Sequence, residues 1–234
     1  FDLGGHSLLA TQIISRLRET SGVQIPLRTI FDTPTIAGLA ECITAALNGP
    51  SDFTHSVPIE RVSRAGSIPL SFEQQRLWFF DQLLPGNPFY NVPVAYRIIG
   101  ELNVKALEAS LNHIITRHEV LRTTFPIVDG MPTQHVQTPA PLELEVVPLN
   151  SESLIRSEGQ RPFDLANGPV IRAKLFQSSD REYVLVVTIH HIATDGWSME
   201  LFSNELATLY EAYSQGVEPA LPELPVQYAD YSVW

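Results

Sequence analysis

The 234-residue chain is 44% hydrophobic and 18% charged, a balance that excludes a disordered polypeptide and supports a buried core. Its formal net charge of −11 argues against nucleic acid as a partner, because phosphate contacts call for a basic face. No apolar run approaches the roughly 18 residues of a membrane helix, so a membrane partner is not expected. The opening FDLGGHSLLA has neither the basic start nor the cleavage site of a signal peptide. It also lacks an initiator methionine, so the sequence reads as a piece of a longer polypeptide. The single cysteine, Cys42, excludes an internal disulfide and a multi-cysteine zinc site. A reducing, cytoplasmic setting is the expectation.

Residues 1–50 hold 3 basic and 4 acidic residues, against 12 and 22 in residues 51–234. Nearly all the acidity therefore belongs to the second part, which suggests two units. In the first, Leu9, Ile13 and Leu17 recur at helical spacing with Leu8 and Ile14 beside them. Thr33 is placed to cap a further helix with Pro34 at its first position, and Ile36, Leu39, Ala40, Ile43 and Leu47 continue it. Two or three helices in residues 1–48 bury too little to stand alone, so this unit reads as incomplete. Asn48-Gly49-Pro50-Ser51-Asp52 stops the pattern, and residues 49–66 carry no apolar period. They read as a linker.

Residues 67–234 alternate between element types. Ser71-Phe72-Glu73-Gln74 has the form of a capping box for a helix through Leu83. Val92, Val94, Tyr96 and Ile98 alternate as in a strand, and Val104, Leu107, Leu111, Ile114, Ile115 and His118 fit a helix. Asp129-Gly130 sits between the strand-like runs Leu121–Val128 and Met131–Gln137, as a hairpin turn does. Further strands are expected near Val170–Gln177 and Tyr183–Ile189, then a helix with Phe202, Leu206, Leu209, Tyr210 and Tyr213 on one stripe. Mixed helices and sheet give an α/β or α+β lobe.

Two places carry chemistry. Leu3-Gly4-Gly5-His6-Ser7-Leu8 puts a hydroxyl where a glycine turn becomes a helix. On local physics Ser7 is first an N-cap. The alternative is an attachment point for a phosphodiester, which the free N–H groups and dipole of a helix start would favour. The second place is the apolar strand that runs into His190-His191-Ile192-Ala193-Thr194-Asp195-Gly196. Adjacent strand side chains point to opposite faces, so one histidine should face a cleft and the other the packed side. An imidazole is suited to taking a proton from an attacking amine, and a glycine allows close approach of backbone to substrate. A buried histidine that merely satisfies backbone groups is the competing reading. A metal site is disfavoured, because no further His or Cys stands at ligand spacing nearby.

Asp2-Leu3-Gly4-Gly5-His6-Ser7-Leu8 resembles the attachment motif of peptidyl carrier domains in nonribosomal peptide synthetases, and the likeness extends through Phe31-Asp32-Thr33-Pro34-Thr35-Ile36. It implies that Ser7 carries 4′-phosphopantetheine, whose thiol holds an aminoacyl or peptidyl thioester. The family's first helix would lie upstream of Phe1. His190 through Gly196 is similar to the HHxxxDG hallmark of condensation domains in the same synthetases. The segments 70–79, 117–125 and 228–234 match in order, LSFEQQRLWF, RHEVLRTTF and YADYSVW.

The resemblance implies an α+β protein: a truncated carrier helical bundle (residues 1–48), a linker (49–66), and one chloramphenicol-acetyltransferase-like lobe (67–234). A second lobe would complete a tunnel in which a carrier-bound amine attacks an upstream thioester. His191 is then the catalytic residue, as general base or as the group that positions the amine. His190 and Asp195 are supporting residues, Asp195 pairing with Arg122, and Gly196 offers its N–H near the thioester oxygen. Trp197-Ser198 after the glycine and His6 before Ser7 point to ordinary condensation with an L-configured donor. The implied partners are upstream and downstream carrier-bound thioesters, a phosphopantetheinyl transferase and adjacent adenylation domains. Transfer to a free acceptor, an epimerising relative and a non-catalytic tether are the alternatives. The piece alone is expected to be inactive.

Overall fold

The computed structural model describes residues 7–23, 25–48 and 58–234. The chain divides into two units, Phe1–Pro58 and Ile59–Trp234. In the first, α1 (Ser7–Ser21), α2 (Thr29–Asp32) and α3 (Ile36–Asn48) follow one another. Ala10, Ile14, Val23, Ile25 and Ile30 form its core, with Leu17, Leu39, Ile43 and Ala46 packed against them. The inward row of α1 is thus Ala10–Ile14–Leu17. Leu9 and Ile13, expected inside, are 39% and 46% exposed. Spacings of three and four both occur on one face of a helix and Leu17 belongs to both rows, so periodicity alone does not choose between them. The cap of α3 also differs from expectation. Thr35 Oγ1 accepts the Gly38 N–H at 3.1 Å, while the Thr33 hydroxyl turns back to donate to the Thr29 carbonyl at 2.7 Å.

The second unit is built on a four-stranded sheet. Its strands are β2 (Asn91–Ile99), β6 (Val146–Pro148), β7 (Ile171–Ser179) and β8 (Glu182–His190), after a short β1 (Ile68–Pro69). The spatial order is β2-β8-β7-β6, antiparallel except for the parallel β6–β7 pair. Central β8 is buried from Leu185 to His190. Its Leu185, Val187 and Ile189 share a core with Leu107, Leu111 and Ile114 of α5 (Val104–Arg117) and Phe202, Leu206 and Leu209 of α7 (Gly196–Ser214). Because strand side chains alternate, Val186, Thr188 and His190 turn to the other face, where α6 (Ser153–Gln160) packs. Two-sided burial accounts for the run LVVTI, apolar but for Thr188.

A smaller sheet pairs β1, β3 (Thr123–Thr124) and β4 (Ile127–Val128) with β5 (Met131–Val136). The Asp129-Gly130 turn has positive φ at both residues, 52° and 80°, as this two-residue hairpin requires. The strand expected over Leu121–Val128 is broken: Glu119–Arg122 winds as a 3-10 turn, and Pro126 separates β3 from β4. The capping box of α4 (Phe72–Leu83) forms as expected. Ser71 Oγ accepts the Gln74 N–H at 3.2 Å, and Gln74 Oε1 accepts the Ser71 N–H at 3.1 Å. Trp78 packs on the core, whereas Phe79, one position on, is exposed.

Residues 59–66, counted above as linker, are tied to the second unit by polar contacts, which an apolar period does not register. Arg61 donates to the carbonyls of Leu224 (2.6 Å) and Pro225 (2.9 Å). Arg64 pairs with Glu119 and with Asp230 of α8 (Tyr228–Val233), each at 2.6 Å. The Val62 N–H donates to the same Asp230 carboxylate at 2.8 Å. Burial pushes the Asp230 carboxyl up, but these donors outweigh it and hold the group down to about 2.

A candidate active site where the central strand ends

The two adjacent histidines part company, as strand alternation demands. His190 is 2% exposed. Its Nδ1 accepts the Ile192 N–H at 3.1 Å, which leaves the ring proton on Nε2. Tyr90 and Phe163 flank the ring at centroid distances of 6.3 and 6.0 Å. Phe163 is itself covered by the Arg172 guanidinium, 3.9 Å from its centroid, and Arg172 pairs with buried Glu158 at 3.1 Å. Desolvation, with a smaller contribution from neighbouring His191, lowers the His190 pKa to about 4. At neutral pH it is an uncharged core imidazole.

His191 begins the 3-10 turn His191–Ala193. Its N–H donates to the Tyr90 carbonyl at 2.8 Å, and its exposed side chain lines a cavity of about 470 Å³. The walls come from α4, Tyr90, the end of α5, the start of α7 and the segment 224–228. Here the chain can present an imidazole, at the end of a strand held on both faces, to a molecule entering from solvent.

Asp195 is the N-cap of α7. Its Oδ1 accepts from the Ser198 N–H at 2.8 Å and the Ser198 hydroxyl at 2.6 Å. The expected pairing of Asp195 with Arg122 is therefore not formed. Arg122 donates through Nη1 to the Gln137 carbonyl, and its Nη2 lies 3.8 Å from Glu119. The local cap wins because its donors are three residues away and ordering them costs little chain entropy. Gly196 is the first residue of α7, so its N–H has no carbonyl partner within the helix. A Cβ at Gly196 would meet no atom within 4 Å, which leaves the backbone there open to approach.

Ser7 is the first residue of the 15-residue α1, and no acidic residue stands in that helix's first turn. A phosphodiester fits this end, because the dipole and free N–H groups of a helix start favour an anion and no carboxylate stands in the first turn. Residues 1–6, with the glycine turn, lie outside the described residues. Among the described residues no helix is long and apolar enough to cross a membrane, and no three His, Cys, Asp or Glu side chains cluster as metal ligands.

Other cavity residues did not stand out in the sequence by chemistry. Tyr228 Oη lies 3.0 Å from Ser71 Oγ, and burial raises its phenol pKa, so the group stays protonated at neutral pH. Gln74 and His118 also line the cavity. All three belong to the ordered segments 70–79, 117–125 and 228–234, and that was the available signal.

The condensation domain family matches residues 64–234, and the phosphopantetheine attachment site family matches residues 1–43. A linear gramicidin synthase protein of Brevibacillus parabrevis is 47% identical over 244 aligned residues, which cover 100% of this chain and 3% of that protein. The dimodular nonribosomal peptide synthase of Bacillus subtilis is 41% identical over 239, covering 100% and 10%. Among solved structures, the X-domain from teicoplanin biosynthesis aligns with 76% of this chain and 40% of its own, at TM-score 0.71 and 38% identity. The starter condensation domain of rhizomide synthetase RzmA aligns with 69% and 41%, at TM-score 0.64 and 26% identity. The chain thus spans a small part of its curated relatives and less than half of these solved ones. It belongs to the condensation-domain family of nonribosomal peptide synthetases, with a phosphopantetheine attachment segment preceding the condensation unit.

Proposed function

We propose that residues 67–234 contribute the catalytic histidine of an amide-forming reaction, and that residues 1–48 are the carrier segment ahead of it. The observation that carries this reading is the division of labour between the histidines. His190 is sealed and neutral in the packed face, whereas His191 opens into the cavity. When bound at Ser7, 4′-phosphopantetheine supplies a thiol on which an aminoacyl or peptidyl group rides as a thioester. In the condensation unit, the acceptor's amine nitrogen bonds to the donor's carbonyl carbon, the carbon–sulfur bond breaks, and the thiol leaves with a proton. His191 takes the amine's proton or holds the amine in line. The Gly196 N–H, at the start of a 19-residue helix, faces the developing oxyanion. Asp195 sets the loop by capping that helix.

In this reading the chain works with upstream and downstream carrier-bound thioesters, a phosphopantetheinyl transferase that loads Ser7 and adjacent adenylation domains, in the cytoplasm. It matches 40% of the solved X-domain chain, so turnover is expected of the full-length protein and not of these 234 residues alone. A docking role without catalysis is the second reading, because one solved relative is an X-domain in complex with OxyB. His191→Ala in the full-length protein, assayed for peptide formation from loaded carriers, decides between them. Loss of turnover supports amide formation, and undiminished turnover overturns it.

A further inference from the structure

Among the polar groups that line the His191 cavity, one imidazole is held from behind by a buried carboxylate. Gln74 is spent on Ser71, Tyr228 lies against Ser71, and Asp195 and Ser198 satisfy each other. Gln227 accepts the Glu119 N–H at 3.1 Å and donates to the Arg117 carbonyl at 2.9 Å. His118 differs. Its Nε2 lies 2.7 Å from Oε2 of Glu205, a carboxylate only 8% exposed. Oε1 of the same carboxylate accepts Arg117 Nε at 3.1 Å. A carboxylate is acceptor-only, so Glu205 fixes the imidazole proton on Nε2. The lone pair of the neutral ring is then on Nδ1, and no hydrogen bond to Nδ1 forms among the described residues.

We infer that His118 is a substrate-positioning residue of this cavity, its Nδ1 accepting a hydrogen bond from the N–H of the carrier-bound acceptor while Glu205 holds the ring. A carboxylate behind an imidazole, setting its tautomer and orientation, is a recurrent way to present one ring nitrogen to a substrate. Glu205 already has Arg117 as counter-charge, and Glu119 is engaged by Arg64. Glu73 and Arg76 of α4 are exposed to solvent. His191 is the other imidazole on the cavity wall.

The inference rests on the amide-forming reading, and its test separates the two. In the full-length protein, His118→Gln keeps an N–H donor for Glu205 but places no atom at Nδ1. The KM for the carrier-bound acceptor should rise about tenfold, the worth of one hydrogen bond. The donor KM, the kcat at saturating acceptor and the melting temperature should stay as in wild type. An unchanged acceptor KM in the folded variant overturns the assignment. If the variant melts early, the NMR signal of His118 Nδ1 in the wild-type protein decides. It moves when an aminoacyl-pantetheine amide is added if Nδ1 accepts its hydrogen bond, and a signal that stays in place overturns the inference. Turnover that survives His191→Ala brings down the amide-forming reading, whatever His118 does.

Discussion

The two units place their candidate sites in different ways. Ser7 stands at the very start of α1, in a unit whose core gathers five buried apolar residues among those described. His191 stands where a strand buried on both faces gives way to a turn, in a unit whose main core cluster gathers twenty-two. A covalent attachment point needs a reachable hydroxyl at a helix end, which a few turns of chain supply. A catalytic imidazole needs a fixed direction, and that requires the strand, its two covering layers and a cavity. Substitutions distant from Ser7 should therefore leave loading intact, whereas distant ones in the second unit should reach His191.

The sharpest break in this comparison is Ser7→Ala. With no hydroxyl there is nothing to esterify, so mass spectrometry after treatment with a phosphopantetheinyl transferase should show no added arm, and product passing through this carrier should vanish. Next comes His191→Ala, expected to cut peptide formation by about 10²–10⁴-fold with loading of Ser7 unchanged. Both results together would show that the two sites are chemically independent.

Smaller effects test the scaffold. Asp230→Ala removes the acceptor shared by Arg64, Val62 and Gln227 and should cost about 3 kcal/mol in the denaturation of the second unit. The wild-type Asp230 sits below its ordinary pKa, at about 2. Its stabilising share is therefore complete above roughly pH 4 and is lost as pH falls towards 2. The variant should lack that part of the acid transition. His190 behaves alike in sign for a different reason. Its folded pKa of about 4 lies below the unfolded value near 6.5, so protons favour the unfolded state. Stability should decline from about pH 6.5 to 4, by roughly 3 kcal/mol in all. His190→Asn should flatten that decline, and a wild-type curve already flat there would show that His190 is not sealed.

Much of this was legible from sequence because the deciding physics is local. The α4 capping box, the Asp129-Gly130 turn and the apolar run of β8 each follow from a few neighbouring residues. The split between His190 and His191 follows from the period of two. What escaped lies in longer-range or competing interactions. The tie from Arg64 to Asp230 spans 166 positions and leaves no periodic trace. Short β6 pairs in parallel with β7, a partner chosen by the fold and not by its own three residues. The Asp195–Arg122 expectation failed because a serine three residues on offered two donors to the carboxylate first. The inward row of α1 was misassigned because the later chain, through Val23, Ile25 and Ile30, decides which row is covered.

The Arg64–Asp230 tie also has a consequence during synthesis. A ribosome that has just added Arg64 must add 166 more residues to incorporate Asp230, roughly 8–33 seconds at ordinary elongation rates. Throughout that interval Arg64 lacks Asp230, and residues 59–66 have no α8 to close against. The first unit can gather its helices long before. Completion of this tie therefore waits on Asp230, and a pause in translation short of residues 224–228 would leave the His191 cavity without the wall that they provide.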